Sequence, residues 1–231
     1  MTFGPKRVVS GLWRWTARHP HWHPGAFGAE VASYAARNGD QLILIDPLVP
    51  EDPAARDALL TWIDQQAPSE LVLAVTITYH VRSVEELYGL HAHKRPVKIV
   101  GHPRVGNHLG VSEAVFVPVA PGEEGPAGIH ALAIGNPTRI ETPFWLPAHQ
   151  ALVFGDAIID NGQGLRIWDQ EPQTPERVKW HNEKFVPSLA PLLELRVARI
   201  LPTHGEPIVI GARDALREAI ESPSWDLPKD H

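Results

Sequence analysis

Cysteine is absent from the 231 residues. That removes disulfides, thiolate metal ligands and a cysteine nucleophile together. Basic residues are also in short supply, with 21 Lys and Arg against 27 Asp and Glu and a formal net charge of -6. No basic block or charged tail interrupts the mixture, so nucleic acid, which is bound by a positive field that displaces counterions, is not an expected partner. Long apolar runs are missing too. Nowhere do about 18 consecutive apolar residues occur, the least that a membrane-crossing helix needs. The apolar stretch that follows Lys6 and Arg7 is broken by Arg14 before a signal-peptide core develops. The expectation from these absences is a cytoplasmic protein with no membrane partner. Ser10, Ser33 and Ser112 lack the strand-turn-helix context of a nucleophile elbow, so serine hydrolysis finds no support.

What the chain has is length enough for one core, and residues 1–231 read as a single domain. Its 23 prolines sit mainly at element edges, where they shorten loops. Residues 29–36 read as a strand ending at the hairpin signal Asn38-Gly39, and Gln41 to Ile45 as the buried strand that follows. Asp52-Pro53 opens a helix with an N-cap and a proline in its first turn, and Ala55, Leu59, Leu60 and Ile63 follow at helical spacing. Residues 71–76 read as the next buried strand. Ser83-Val84-Glu85-Glu86 has the capping-box pattern, so a short helix is expected there with Leu87 and Leu90 facing inward. Strands are expected over 97–100, 114–119, 129–134, 142–146, 151–154 and 197–201. A helical stretch over 175–194 should be bent or divided by Pro187 and Pro191, and residues 212–220 close the pattern as an amphipathic helix.

Two of these strands run into a side chain that can hold a metal: Leu152-Val153-Phe154-Gly155-Asp156-Ala157 and Ile200-Leu201-Pro202-Thr203-His204-Gly205-Glu206-Pro207. Metal chemistry needs ligands gathered from several strand ends, because one strand alternates its side chains and cannot surround an ion alone. Each residue taken singly has a plainer role, Asp156 as a turn-former bonding its own backbone and His204 as a loop residue. As a spaced pair they resemble the last two metal-ligand positions of the metallo-β-lactamase fold. The resemblance continues in chain order through Gln41 to Pro47, Leu71 to Leu87, Ala151 to Ala157 and Val197 to Pro207. It implies an α/β chain folded as an αββα sandwich, two mixed β-sheets flanked by helices. It also implies that the position of Asp156 bridges two zinc ions and that His204 ends the second metal site.

The upstream segment departs from that family. Where the family writes T-H-x-H-x-D-H, the chain reads Thr76-Ile77-Thr78-Tyr79-His80-Val81-Arg82-Ser83. With Thr76 leading, the ligand positions fall on Ile77, Tyr79, Val81 and Arg82; with Thr78 leading, on Tyr79, Val81, Ser83 and Val84. No gap-free register retains more than one ligand of the four, and His80 reaches a histidine position only if the threonine anchor is dropped. The Gly-His-Thr or Gly-His-Ser turn of the family reads Gly135-Asn136-Pro137-Thr138 here, which puts a weak amide ligand at Asn136. His130 would substitute only if its loop were displaced.

Two chemistries remain open. In one, at most a single zinc is held by His80, Asp156 and His204, a set of two imidazoles and one carboxylate like those of catalytic zinc sites with an open position for water. The activated water would attack an ester, lactone or thioester, with Asp156 as the catalytic carboxylate that orients it. In the other, the metal is lost and the protein binds a small anionic ligand or serves as an interaction module. His80 and Arg82 then lie at the N-terminus of the helix capped by Ser83, where free N–H groups favour an anion, and the Arg82 fork suits a carboxylate or phosphate. Against both stand plainer roles, His80 as a polar residue in a turn and Arg82 as a partner of Asp156. His19, His21 and His23 read as a proline-interrupted surface segment that could overhang the site, with Trp13, Trp15 and Trp22 as its wall or as packing anchors. Asp46 reads as structural support. The residues carry no sign of an oligomeric state.

Overall fold

The computed structural model describes residues 4–23, 28–110, 114–135, 140–168 and 174–221. The larger sheet has seven strands in chain order. Its first four, β1 (Lys6–Val9), β2 (Leu12–Arg18), β3 (Glu30–Asn38) and β4 (Gln41–Ile45), are successive antiparallel neighbours. β5 (Glu70–Val75), β6 (Val97–Gly101) and β7 (Phe116–Pro118) continue from β4 in parallel. The second sheet contains β8 (His130–Ala131), β9 (Phe144–Leu146) and β10 (Ala151–Phe154); β11 (Ile158–Asp160) and β12 (Leu165–Ile167) form a separate hairpin. β13 (Arg199–Pro202) returns to pair in parallel with β10.

Side-chain alternation sorts the strands into layers. Ile43, Ile45, Val72 and Ala74 turn toward Phe144, Leu146, Val153 and Leu201 and form the core between the sheets. Their neighbours Leu42, Leu44, Leu71 and Leu73 face the other way, against Leu59 and Ile63 of helix α1 (Pro53–Gln65) and Leu87 of α2 (Val84–His91). Behind the second sheet, Leu152, Phe154 and Ile200 pack on Phe185, Leu189, Leu216 and Ile220. Each buried aliphatic side chain contributes about 1.5–3 kcal/mol, so these faces fix the registers. The result is the αββα sandwich expected from the sequence.

Sequence signals hold where the interactions behind them are local. Gly39 takes φ +59° in the β3–β4 turn, a conformation that costs glycine little. The Asp52 carboxylate accepts the Ala55 N–H at 2.9 Å and caps α1. The capping box at Ser83 does not form. Its hydroxyl instead accepts the Val49 N–H at 2.9 Å, and no side-chain cap closes α2. Leu87 is buried and Leu90 only half-buried. The stretch after residue 174 divides as its prolines suggest: α3 (Pro175–Trp180), a π turn at His181–Phe185, α4 (Val186–Leu189) with Pro187 in its first turn, and a 3₁₀ segment over Ala190–Glu194. α5 (Ala212–Glu221) follows β13. The sequence reading missed β1, β2, β11 and β12, although Asn161-Gly162 stands between the last two as the same turn signal as Asn38-Gly39.

Hydrogen bonds tie the two sheets together at the site end. Tyr34 donates from its hydroxyl to the Pro202 carbonyl at 2.7 Å, the Ala32 N–H donates to Thr203 at 2.7 Å, and the Thr142 N–H donates to Thr76 at 2.7 Å. These bonds bring the C-terminal ends of β4, β5, β10 and β13 to one place.

Candidate functional site

The site starts from Asp46, which leaves β4 with φ +46°. A non-glycine residue in that region costs on the order of 1 kcal/mol or more, and its carboxylate supplies the compensation. It accepts the Thr76 N–H at 2.8 Å and the Thr76 hydroxyl at 2.5 Å, and faces His80 Nδ1 at 3.0 Å. Asp46 therefore serves as the support that the sequence suggests. His80 lies in the 3₁₀ turn Thr78–Val81 directly after β5, with its ring buried.

On the far side of that ring, His80 Nε2 lies 3.7 Å from Asp156 Oδ1, and His204 Nε2 lies 3.7 Å from the same oxygen. The structure thus brings His80, Asp156 and His204 together. Tyr79, which falls on a histidine position when the family pattern is anchored on Thr76, donates its hydroxyl to Asp156 Oδ2. Its ring meets His80 edge-on at 4.9 Å, and Trp168 meets His204 in the same manner at 5.0 Å. Burial holds the His204 imidazole down at about 4, although the Asp156 charge pulls it up, so the ring is neutral at pH 7.

Arg82 joins the cluster at φ +30° and ψ −107°. Both terminal guanidinium nitrogens are buried with no hydrogen-bond partner among the described residues. Burial pulls its pKa down, and the charges of Asp46, Asp156 and Tyr79 pull it back up. Its terminal nitrogens make no direct hydrogen bond to Asp156, so the simple pairing does not form. Burial pulls the His19 imidazole pKa down, and the charge of Arg82 adds to that. Trp13 and Trp15 are packing anchors: Trp13 meets Trp62 edge-on at 5.3 Å, and Trp15 donates to the Leu48 carbonyl at 2.9 Å.

Sequence reasoning missed Glu141. Its fully buried carboxylate accepts three successive backbone N–H groups, from Gly155 at 2.9 Å, Asp156 at 2.9 Å and Ala157 at 2.7 Å, and so fixes the turn that presents Asp156. Burial, with the Asp156 charge beside it, pushes Glu141 up to about 8 against the pull of those three donors. Gly155 is required in this turn, because a Cβ there would lie 2.7 Å from Thr76 Oγ1. Asn136 lies outside the described residues. His130 faces Glu124 at 3.7 Å and makes no contact with the cluster. A cleft of about 410 Å³, rimmed by Lys6, Arg7, Arg14 and Glu206, lies nearby but is lined by none of these site side chains.

Zinc is the ion that the resemblance implies, and the side chains do not fit it as they stand. One oxygen of Asp156 takes the Tyr79 hydroxyl and a guanidinium charge lies within Coulombic reach, although the Asp46 contact to His80 Nδ1 leaves Nε2, the nitrogen that faces Asp156, available. Among the described residues no group of three His, Asp or Glu side chains is arranged to hold a metal ion.

No family model and no curated protein matches the sequence. Solved structures do. The DIM-1 metallo-β-lactamase exposed to ceftazidime superposes with a TM-score of 0.65 at 13% identity, over 94% of this chain and 96% of that one. A metallo-β-lactamase from Erythrobacter litoralis with β-mercaptoethanol in its active site gives 0.62 at 16% identity, over 94% of each chain. A metallo-β-lactamase family protein from Thermus thermophilus gives 0.58 at 18% identity, over 93% of this chain and 78% of that one. With its layers, strand order and these superpositions in agreement, the chain has the metallo-β-lactamase fold, carried by a sequence far diverged from the solved structures it resembles.

Proposed function

We propose that the protein binds a small anionic molecule at the strand-end site, with Arg82 as its anchor and His80 beside it, on a scaffold of hydrolase type. The observation that supports this reading is the Arg82 guanidinium, whose two terminal nitrogens are buried without an acceptor among the described residues. Leaving a buried donor unsatisfied costs about 1–3 kcal/mol, and more when it is charged. A carboxylate or phosphate presents the paired oxygens that match this fork. The positive φ of Arg82 adds to the argument, since backbone strain of this kind gathers at ligand sites.

The test is calorimetric titration of the protein and of Arg82→Ala with acetate and with inorganic phosphate. The variant is expected to lose about tenfold or more in affinity, the equivalent of one charge-assisted hydrogen bond. Equal binding by the two proteins removes the reading. A hydrolytic reading, cleavage of an ester, lactone or thioester with at most one zinc on His80, Asp156 and His204, is favoured by the convergence of two imidazole nitrogens on one Asp156 oxygen. Metal analysis of protein prepared without chelator separates the two. Stoichiometric zinc together with ester turnover would carry the hydrolytic reading, and a protein that neither contains zinc nor gains activity on its addition would retire it.

A further inference from the structure

We infer that the free edge of β2, beside the cleft between β1 and α1, is a docking site for an extended acidic peptide that adds a strand antiparallel to β2. β1 covers only part of that edge. Its register begins with Lys6 opposite Arg14, and β2 runs on to Arg18. The chain ahead of Lys6 turns to α1 rather than along β2, since a Cβ on Gly4 would lie 3.8 Å from the Ala58 Cβ. Thr16 pairs with Ala32 in the β2–β3 register, and the Ala32 N–H donates away from β2, to the Thr203 carbonyl at 2.7 Å. The pair is therefore one without mutual hydrogen bonds, and Thr16 aims its own N–H and C=O at the open edge. Among the described residues no hydrogen bond reaches either group, and Thr16 is exposed.

The cleft of about 410 Å³ supplies what main-chain pairing lacks. Thr16 lines it together with Val8, Trp15, Leu59 and Pro207, an apolar wall for the alternate side chains of an added strand. Val209 stands at the same cleft with 39% of its surface exposed. Charge selects the occupant. Lys6, Arg7 and Arg14 line the cleft against one acid, Glu206. Arg14 is fixed by the Gly205 carbonyl at 2.8 Å and by Glu206 at 3.1 Å, while Lys6 and Arg7 are exposed and make no ion pair among the described residues. On a chain of net charge -6 this is a local excess of positive charge. A second copy pairing across the same edge would set these cations against their own kind, a device that protects natural edges from self-association. An acidic strand gains where a second copy loses. A strand antiparallel to β2 and laid on Thr16 runs in the direction of β1, so its C-terminal carboxylate arrives beside Lys6 at the start of β1.

Calorimetric titration of the full chain with the peptide acetyl-Val-Thr-Val-Glu, its C-terminus free, tests this. Amidating the peptide and replacing its Glu by Lys should weaken binding about tenfold or more. Lys6→Glu/Arg7→Glu, at two exposed positions, should weaken the acidic peptide to the same degree and strengthen the one that carries Lys. Strand addition has its own signature, because only alternate residues of an added strand turn their N–H groups to β2. N-methylation of the first and third peptide residues, or of the second and fourth, should therefore abolish binding in one case and spare it in the other. Thr16→Pro, which removes the edge N–H at a position where a strand tolerates proline, should also weaken binding; the methylated peptides make the same test on the unaltered protein. A wild-type protein that does not bind the acidic peptide overturns the proposal, as does binding indifferent to the phase of methylation or to Lys6→Glu/Arg7→Glu. Sedimentation that shows a dimer which Thr16→Pro dissociates would give the edge to a second copy and overturn it too.

Discussion

Glu141 and His204 pull the stability of the molecule in opposite directions as pH changes. Glu141, pushed up to about 8, binds its proton in the folded state at pH values where the unfolded carboxyl has released it. Its contribution is fully present below about pH 4.5, fades as pH rises and is gone above about 8. His204, held down at about 4, works the other way: its contribution is present above about pH 6.5 and is lost as pH falls through 4. Each is worth on the order of a few kcal/mol. Urea denaturation should therefore show the two slopes cancelling in the wild type between about pH 4.5 and 6.5; Glu141→Gln should lose the fall between 6.5 and 8 and gain a rise below 6.5, and His204→Asn should fall throughout about 4.5 to 8. Unchanged slopes in both variants would contradict these assignments. His204 and Asp156 were legible in the sequence because each ends an apolar run that fixes its address. Glu141 was not, because a lone acidic residue before Thr142 and Pro143 gives no sign that its acceptors face N–H groups 14 to 16 residues further on. Arg82 could be named as a cation near the site, but the lack of an acceptor for its terminal nitrogens depends on the packing of several elements.

At the scale of elements, Ser83 shows how a local motif yields to a tertiary partner. The spacing to Glu86 is that of a capping box, yet the hydroxyl accepts the Val49 N–H, and Glu86 pairs with Arg56. Ser83→Ala should consequently disturb the segment after β4 more than the helix that follows Ser83. A loss of about 1–3 kcal/mol is expected from the orphaned Val49 donor, with the helical circular dichroism retained. A loss of helical signal without a loss of stability would restore the capping role. The division of residues 175–194 was legible because proline acts through its own missing N–H. The β1–β2 hairpin was not, since the burial of Lys6 to Val9 is exposed to half-buried throughout and writes no alternating pattern.

For the whole molecule, the layers were the most legible feature, because period-two alternation in β4 and β5 distributes leucines to one face and isoleucine, valine and alanine to the other. The electrostatic sum of the site was the least legible. Two carboxylates oppose one guanidinium, and Glu141 adds a third negative charge when it ionises near 8. Sulfate affinity, if Arg82 anchors anions, should thus weaken as pH rises through about 8, and Glu141→Gln should remove that weakening. Calorimetry at pH 7 and 9 on both proteins checks it.

The bonds from Tyr34 to Pro202, Ala32 to Thr203 and Thr142 to Thr76 lace the two sheets at the site end. The opposite margin is held by side chains, His149 Nε2 against the Arg37 carbonyl at 2.8 Å and Asn38 donating to the Ala127 carbonyl at 2.9 Å, so the sandwich is in effect a book whose spine is the site and whose far edge is clasped. Amide hydrogens of Ala32 and Thr142 should exchange with deuterium only when the whole molecule unfolds, while partial openings release amides at the far strand ends first. A ligand drawn to the spine would then tighten the least mobile part of the molecule and leave the looser margin largely as it was.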